Sequence, residues 1–251
     1  MQFNINYRML LFLTALMVTA CTATPSTQPS TSLPSPIPTL TLPSTPSPTP
    51  VFTPSPAIPI PGREVIFDES GNRYLKGALY GEGETAILLA NMSIGGEKQW
   101  DPFVATVDTQ KFTTVTFNYR DIDHVDQDMD LILGWLREAG FERVICMGAS
   151  LGTRACTKLA REPETVGIVF IAGGVHHASV AEATYPKLFI SGALDARAFD
   201  IEMGYEKAAE PKTLVLFENS RVHGTDLFSS QDGAEFLSLL VDFVNHLADP
   251  Q

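Results

Sequence analysis

Six short apolar runs recur after residue 63: Ala86–Ala90, Thr114–Tyr119, Val144–Met147, Val166–Ala172, Leu188–Ser191 and Thr213–Phe217. They are rich in β-branched residues and do not alternate apolar with polar positions, which is how strands buried on both faces read. Stretches of helical length separate them, at Trp100–Thr109, Asp128–Ala139, Leu151–Glu162, Arg197–Ala209 and Ala234–Ala248. In the last of these, Phe236, Leu239, Leu240, Phe243 and Leu247 fall at i, i+3, i+4 spacing, and Leu131, Leu133, Trp135 and Leu136 form a mixed stripe in the second. Ahead of them, Glu64–Phe67 and Arg73–Gly81 read as an antiparallel pair joined by a turn over residues 68–72. This alternation predicts an α/β domain, with a mainly parallel sheet of about eight strands and helices on both faces. Functional residues are then expected at the carboxyl ends of the strands.

Composition sets the limits of that domain. Residues 22–62 hold 13 of the 18 prolines and 16 Ser or Thr, and no Asp, Glu, Lys or Arg. Repeated Ser-Pro and Thr-Pro steps favour extended polyproline II and exclude helix, because proline lacks the N–H and restricts the residue before it. At ~3.1 Å per residue such a segment reaches roughly 130 Å, the span of a stalk or spacer. The low charged fraction of the whole chain, 18%, therefore belongs to its N-terminal part. Residues 63–251 carry 16 basic and 29 acidic residues. An acidic domain lacks the basic footprint that nucleic acid requires. Three cysteines exclude a disulfide-dense scaffold.

Residues 1–20 read as an export signal. Arg8 supplies the positive start, and Met9–Ala20 an apolar run. That run is shorter than the ~20 helical residues that a bilayer core of ~30 Å demands. It ends in Val18-Thr19-Ala20-Cys21, which resembles the bacterial lipobox. The resemblance implies that Cys21 is lipidated, becomes the N-terminus and holds the protein on a membrane without a spanning segment. The expected organisation is a signal peptide (1–20), Cys21 with a Pro/Ser/Thr-rich tether (21–62), and one domain (63–251).

The chemistry is expected where the strand Val144–Met147 runs into Gly148-Ala149-Ser150-Leu151-Gly152 and then a helix. In a G-x-S-x-G turn between strand and helix the serine sits in a strained conformation with its hydroxyl exposed, and the glycines leave room for the crowded backbone. The Leu151 N–H, at the helix N-terminus, is aimed to stabilise an oxyanion. Serine needs a base oriented by a carboxylate. The strand Leu188–Ser191 leads to Asp195, and the strand Thr213–Phe217 leads to His223. Both lie just past strand carboxyl ends, in the chain order Ser, Asp, His. Asp200 and Glu202 are rival acids. The second oxyanion donor is expected from the loop after Ala86–Ala90, as the Ser93 N–H, with the Met92 N–H as the alternative.

With this loop and Trp100-Asp101-Pro102-Phe103, the chain resembles a small α/β-hydrolase over about residues 64–248. Members of that family often carry His-Gly or His-Met in this loop, Asp-x-Arg-Gly after the fourth strand and Ser-x-Gly-Gly at the nucleophile. This chain has Asn91 in place of the histidine, Asn118-Tyr119-Arg120-Asp121, and Ser150-Leu151-Gly152-Thr153. Only about 13 residues separate Gly174 from Leu188, too few for the helical lid of larger members, so an open, shallow site is expected.

Other features carry less. Asp121, Asp123, Asp126, Asp128 and Asp130 make an acidic run that lacks the EF-hand pattern and suits the start of a helix dipole. His176 and His177 are expected as solvated rim residues, and Cys146 and Cys156 as separate, inert core thiols. The sequence thus predicts a lipid-anchored, extracytoplasmic, esterase-like serine hydrolase acting on small or exposed esters, with no metal or cofactor required. Peptidases and acyltransferases use the same three residues. A silent binding module of the same fold is the reading from a different class.

Overall fold

Strands with apolar side chains on both faces need cover from both sides. The computed structural model describes residues 62–248 except 71, 72 and 95, with Glu97 described by its backbone alone. The expected export signal, Cys21 and the expected tether lie outside the described residues.

Eight strands form one sheet: β1 (Arg63–Asp68), β2 (Leu75–Tyr80), β3 (Thr85–Ala90), β4 (Phe112–Phe117), β5 (Arg143–Ala149), β6 (Thr165–Ile171), β7 (Lys187–Gly192) and β8 (Lys212–Phe217). Their order is β1-β2-β4-β3-β5-β6-β7-β8. The β1–β2 and β2–β4 pairs are antiparallel, and β4-β3-β5-β6-β7-β8 run parallel. The helices are α1 (Asp101–Val104), α2 (Val125–Glu138), α3 (Leu151–Leu159), α4 (His177–Val180), α5 (Ala198–Lys207) and α6 (Gly233–Ala248). Short 3-10 helices lie at Glu97–Trp100 and Gly224–Ser229.

The period-2 alternation of the strands divides the interior into two cores. Leu88, Val144, Cys146, Ile168 and Phe170 pack with Met129, Ile132 and Leu136 of α2, Leu159 of α3 and Ile201 of α5. Ile87, Leu89, Ile145, Met147, Val169 and Ile171 face the other way, against Phe103 of α1 and Phe236, Leu240 and Val244 of α6. Every residue of β3 and β4 is buried, which accounts for their unalternating apolar pattern.

The chain leaves β3 towards β4 on one side, and later returns past it to β5 on the other. The loops after β3 and β5 therefore diverge and open a crevice at the carboxyl edge. Ser150 and the Asn91–Trp100 loop flank that crevice.

Several boundaries differ from expectation. The helix expected over Trp100–Thr109 is a 3-10 turn followed by one α-turn, ending at Val104. Farther along, Asp108 Oδ1 accepts the Gln110 N–H at 2.9 Å in the turn that leads into β4. β4 itself begins at Phe112 and ends at Phe117, not at Tyr119. Tyr119 is buried by stacking edge-on against Phe117, with ring centroids 5.0 Å apart, so its apolar environment is a loop's and not a strand's. His177 opens the short helix α4, while His176 remains exposed with Nδ1 3.2 Å from Ser179 Oγ. The aspartate run is spent on cations: Asp128 pairs with Arg120 at 2.6 Å, Asp126 with Arg154 at 2.8 Å and Asp130 with Lys158 at 3.0 Å.

Candidate active site

Ser150 has φ +50° and ψ −107°, a left-handed conformation that costs a serine free energy and persists only where its surroundings dictate it. They do so here through close backbone contacts. A Cβ on Gly148 would collide with the Gly152 carbonyl, one on Gly152 with the Ala90 carbonyl, and one on Gly173 would lie 2.5 Å from the Ser150 carbonyl. The Ser150 N–H donates to Ile171 O at 2.8 Å. Thr153 Oγ1 lies 2.7 Å from both Ser150 O and Gly174 O. The Leu151 N–H, the first of α3, has no carbonyl partner within its helix and is free for an incoming anion.

Cys146 and Cys156 correct an expectation, because they form a disulfide between β5 and α3 with Cα atoms 5.5 Å apart. The elbow folds the helix back over its own strand. Gly148 has no side chain to stand between them, and a Cβ there would approach Cys156 Sγ to 2.9 Å. The bond closes a loop of ten residues around the nucleophile turn.

Asp195 and His223 come together. His223 Nδ1 donates to Asp195 Oδ2 at 2.8 Å, and the two side chains are 40% and 1% exposed. The second oxygen, Asp195 Oδ1, accepts the Arg197 N–H at 2.7 Å. A carboxylate held on both oxygens fixes the ring and its tautomer. The loops that carry them are tied by the Leu194 N–H donating to Ser220 O at 2.9 Å. Of the rival acids, Asp200 is engaged by Arg197 at 2.9 Å, and Glu202 takes no part in this contact.

Gly224 brings that pair over the elbow. Its φ is +56°, and a Cβ there would collide with Met92 Sδ and lie 3.6 Å from Ala149 Cβ. The residue after His223 is thus wedged between the β3 loop and the residue before Ser150. Ser150 Oγ and His223 make no hydrogen bond to each other in this structure, an arrangement common in enzymes without substrate.

The β3 loop distinguishes between the two candidate donors. The Met92 N–H donates to Gln99 Oε1 at 3.1 Å, whereas the Ser93 N–H makes no hydrogen bond among the described residues. Asn91, fully buried where the histidine was expected, donates from Nδ2 to Phe117 O. Beside Ser150, Leu151 and Ser93 lies an open cleft of about 720 Å³. Between β6 and β7 the short helix α4 is the one element that intervenes among the described residues.

Taken together, a hydroxyl on a forced turn, two N–H groups without a partner among the described residues and a carboxylate-backed imidazole can attack a carbonyl and stabilise the resulting oxyanion. Gln99, Thr153 and Gly224 also build this site. The His223-Gly224 pair was a legible signal for a turn, whereas no sequence signal marks Gln99.

No protein-family model matches the sequence, and no curated protein does either. Solved structures match the architecture. The esterase domain of a Rhodothermus marinus protein aligns with a TM-score of 0.62 at 16% identity, over 76% of this chain and 100% of that one. A monoacylglycerol lipase from Paleococcus ferrophilus aligns at 0.59 and 15%, over 69% and 98%. The N-acyl homoserine lactonase AidH aligns at 0.58 and 15%, over 76% and 99%. The fold is that of the α/β-hydrolases.

Proposed function

We propose that this protein is a serine hydrolase of small or exposed esters. The observation that carries the reading is Ser150, held at φ +50° at the head of α3, beside an imidazole whose Nδ1 is anchored by the buried Asp195. The structural neighbours, an esterase domain, a monoacylglycerol lipase and a lactonase, support ester chemistry. His223 Nε2 takes the Ser150 proton as Oγ attacks the acyl carbon. The oxyanion forms against the Leu151 and Ser93 N–H groups. The protonated imidazole then gives its proton to the departing alkoxide, leaving an acyl-serine. Water repeats the sequence, with His223 as base, and releases the acid. Asp195 holds the tautomer and stabilises the imidazolium. No step requires a metal or cofactor. Peptide hydrolysis or acyl transfer would use the same groups with a different leaving group or acceptor.

The place of action is extracytoplasmic, at the cell surface or the periplasmic face of a bacterial membrane, through lipidated Cys21 and the tether. The Cys146–Cys156 bond supports an oxidising compartment, where disulfides persist. Asn91, in place of the family's histidine, favours the second reading, a silent binding module on a stalk.

A fluorophosphonate probe separates the two. The folded wild type should be labelled covalently, and Ser150→Ala should not. Absence of labelling in the wild type would sink the enzyme reading. Metabolic labelling with palmitate, lost in Cys21→Ser, checks the anchor in the same preparations.

A further inference from the structure

The cleft beside Ser150 differs in charge from the domain around it. In a domain with 29 acidic and 16 basic residues, its walls carry two guanidiniums, Arg154 and Arg197, and no carboxylate. The remaining wall is largely apolar, with Ile94 and Ile122 49% and 56% exposed. Arg154 lies one helical turn past Ser150 on α3, and Arg197 lies two residues past Asp195.

Each arginine is anchored from one side. Arg154 donates from Nε and Nη2 to Asp126 at 3.2 and 2.8 Å, and Arg197 from Nη1 to Asp200 at 2.9 Å. A guanidinium presents five N–H donors in a planar fork. Arg154 Nη1 and Arg197 Nε and Nη2, which have no hydrogen-bond partner among the described residues, therefore remain to receive an anion. The two ion pairs are solvent-exposed and weak, so they orient the forks without consuming them.

We propose that the site takes esters whose acyl part is a short aliphatic chain ending in a carboxylate, that is, hemiesters of dicarboxylic acids. This rests on the serine-hydrolase reading. The leaving oxygen must meet His223 to be protonated. The cleft is bounded by Ser150, Leu151 and Ser93 and not by His223, so it receives the acyl side. The methylenes lie along Ile94 and Ile122, and the terminal carboxylate meets the unengaged arginine donors. Ser150 Oγ forms the acyl bond as the alkoxide leaves with the proton from His223, and water then releases the free dicarboxylate.

The test compares monomethyl adipate with methyl hexanoate, which has a methyl in place of the far carboxylate, by pH-stat with the mature full-length protein. The hemiester should show kcat/KM about 10-fold higher, the effect of one charge-assisted hydrogen bond. That ratio should fall towards one in Arg154→Gln/Arg197→Gln, and it should shrink at high salt. A wild type that hydrolyses both equally, or prefers hexanoate, overturns the inference and leaves the hydrolase reading intact. If neither ester turns over, fluorophosphonate labelling of Ser150 decides. Slowing by adipate and not by hexanoate supports the inference, labelling slowed by neither removes it alone, and no labelling removes both readings.

Discussion

Two loops flank Ser150 and do complementary work, yet they are built on opposite principles. The elbow between β5 and α3 is fixed by backbone. Gly148, Gly152 and Gly173 sit where a Cβ would strike a neighbouring carbonyl, and a disulfide closes the turn. The loop between β3 and α1 is fixed by side chains. Gln99 Oε1 holds the Met92 N–H, Asn91 Nδ2 holds Phe117 O, and Met92 Sδ accepts the Thr225 N–H at 3.2 Å. Ser93 and Ile94 in that loop are exposed, whereas Gly148, Ala149 and Gly152 are buried. A nucleophile in a strained conformation needs surroundings that cannot yield. An oxyanion donor needs only its N–H aimed at the right point, which a few hydrogen bonds can achieve. Strain and rigidity are thus concentrated on one side of the cleft, and adjustability on the other.

If this contrast is right, the elbow should tolerate least. Gly152→Ala drives a methyl into the Ala90 carbonyl at the end of β3, where only backbone could move. The expected cost is about 1–3 kcal/mol of stability for overpacking. A displacement of Ser150 by ~1 Å should lower kcat about 100-fold, measured beside chemical denaturation of the same variant. Wild-type activity in Gly152→Ala would show that the elbow is less rigid than its contacts imply. The disulfide comes next. Cys146→Ala/Cys156→Ala releases a short closed loop and should lose about 2–3 kcal/mol, read as a shift of the denaturation midpoint. Its kcat should change by less than about threefold, because the glycine contacts hold Ser150 in place without it. A fall in kcat as deep as that of Gly152→Ala would move the source of rigidity from the glycines to the disulfide.

The same contrast explains what the sequence displayed. Features that depend on backbone were visible: the apolar runs became β3 to β8, although the edge strand β8, expected to be buried on both faces, is only partly buried, and Gly148-Ala149-Ser150-Leu151-Gly152 fell on a strand-to-helix turn. Asp195 and His223 were visible because strand ends lie at definable points along the chain, and the structure brings their side chains to 2.8 Å. Features that depend on which side chain reaches which atom were not. Cys146 and Cys156 read as two core thiols, since only the packing of α3 over β5 brings their Cα atoms to 5.5 Å. Tyr119 read as strand because stacking on Phe117 and β pairing leave the same apolar trace. Asn91 was seen as a departure from the family pattern, but its bond to the carbonyl of Phe117, in a strand 26 residues away, could not be read from spacing.

Gln99 is the sharpest test of the adjustable side. Its Oε1 accepts the Met92 N–H at 3.1 Å and lies 3.4 Å from Thr225 Oγ1, so one oxygen links the donor loop to the segment that follows His223. Gln99→Ala would release the Met92 N–H and leave the direction of the neighbouring Ser93 N–H to the loop alone. Losing the hydrogen bond from Met92 and the longer one from Thr225 should cost about 1–2 kcal/mol of stability. The oxyanion exists only along the reaction path, so the kinetic loss should fall on kcat, by about 10-fold, with KM little changed. Gln99→Glu keeps an acceptor oxygen at the same place and should retain most of the rate. If Gln99→Ala instead raised KM at constant kcat, Gln99 would be shaping the cleft, and the orientation of the oxyanion donor would have to come from the buried Asn91 at the base of the loop.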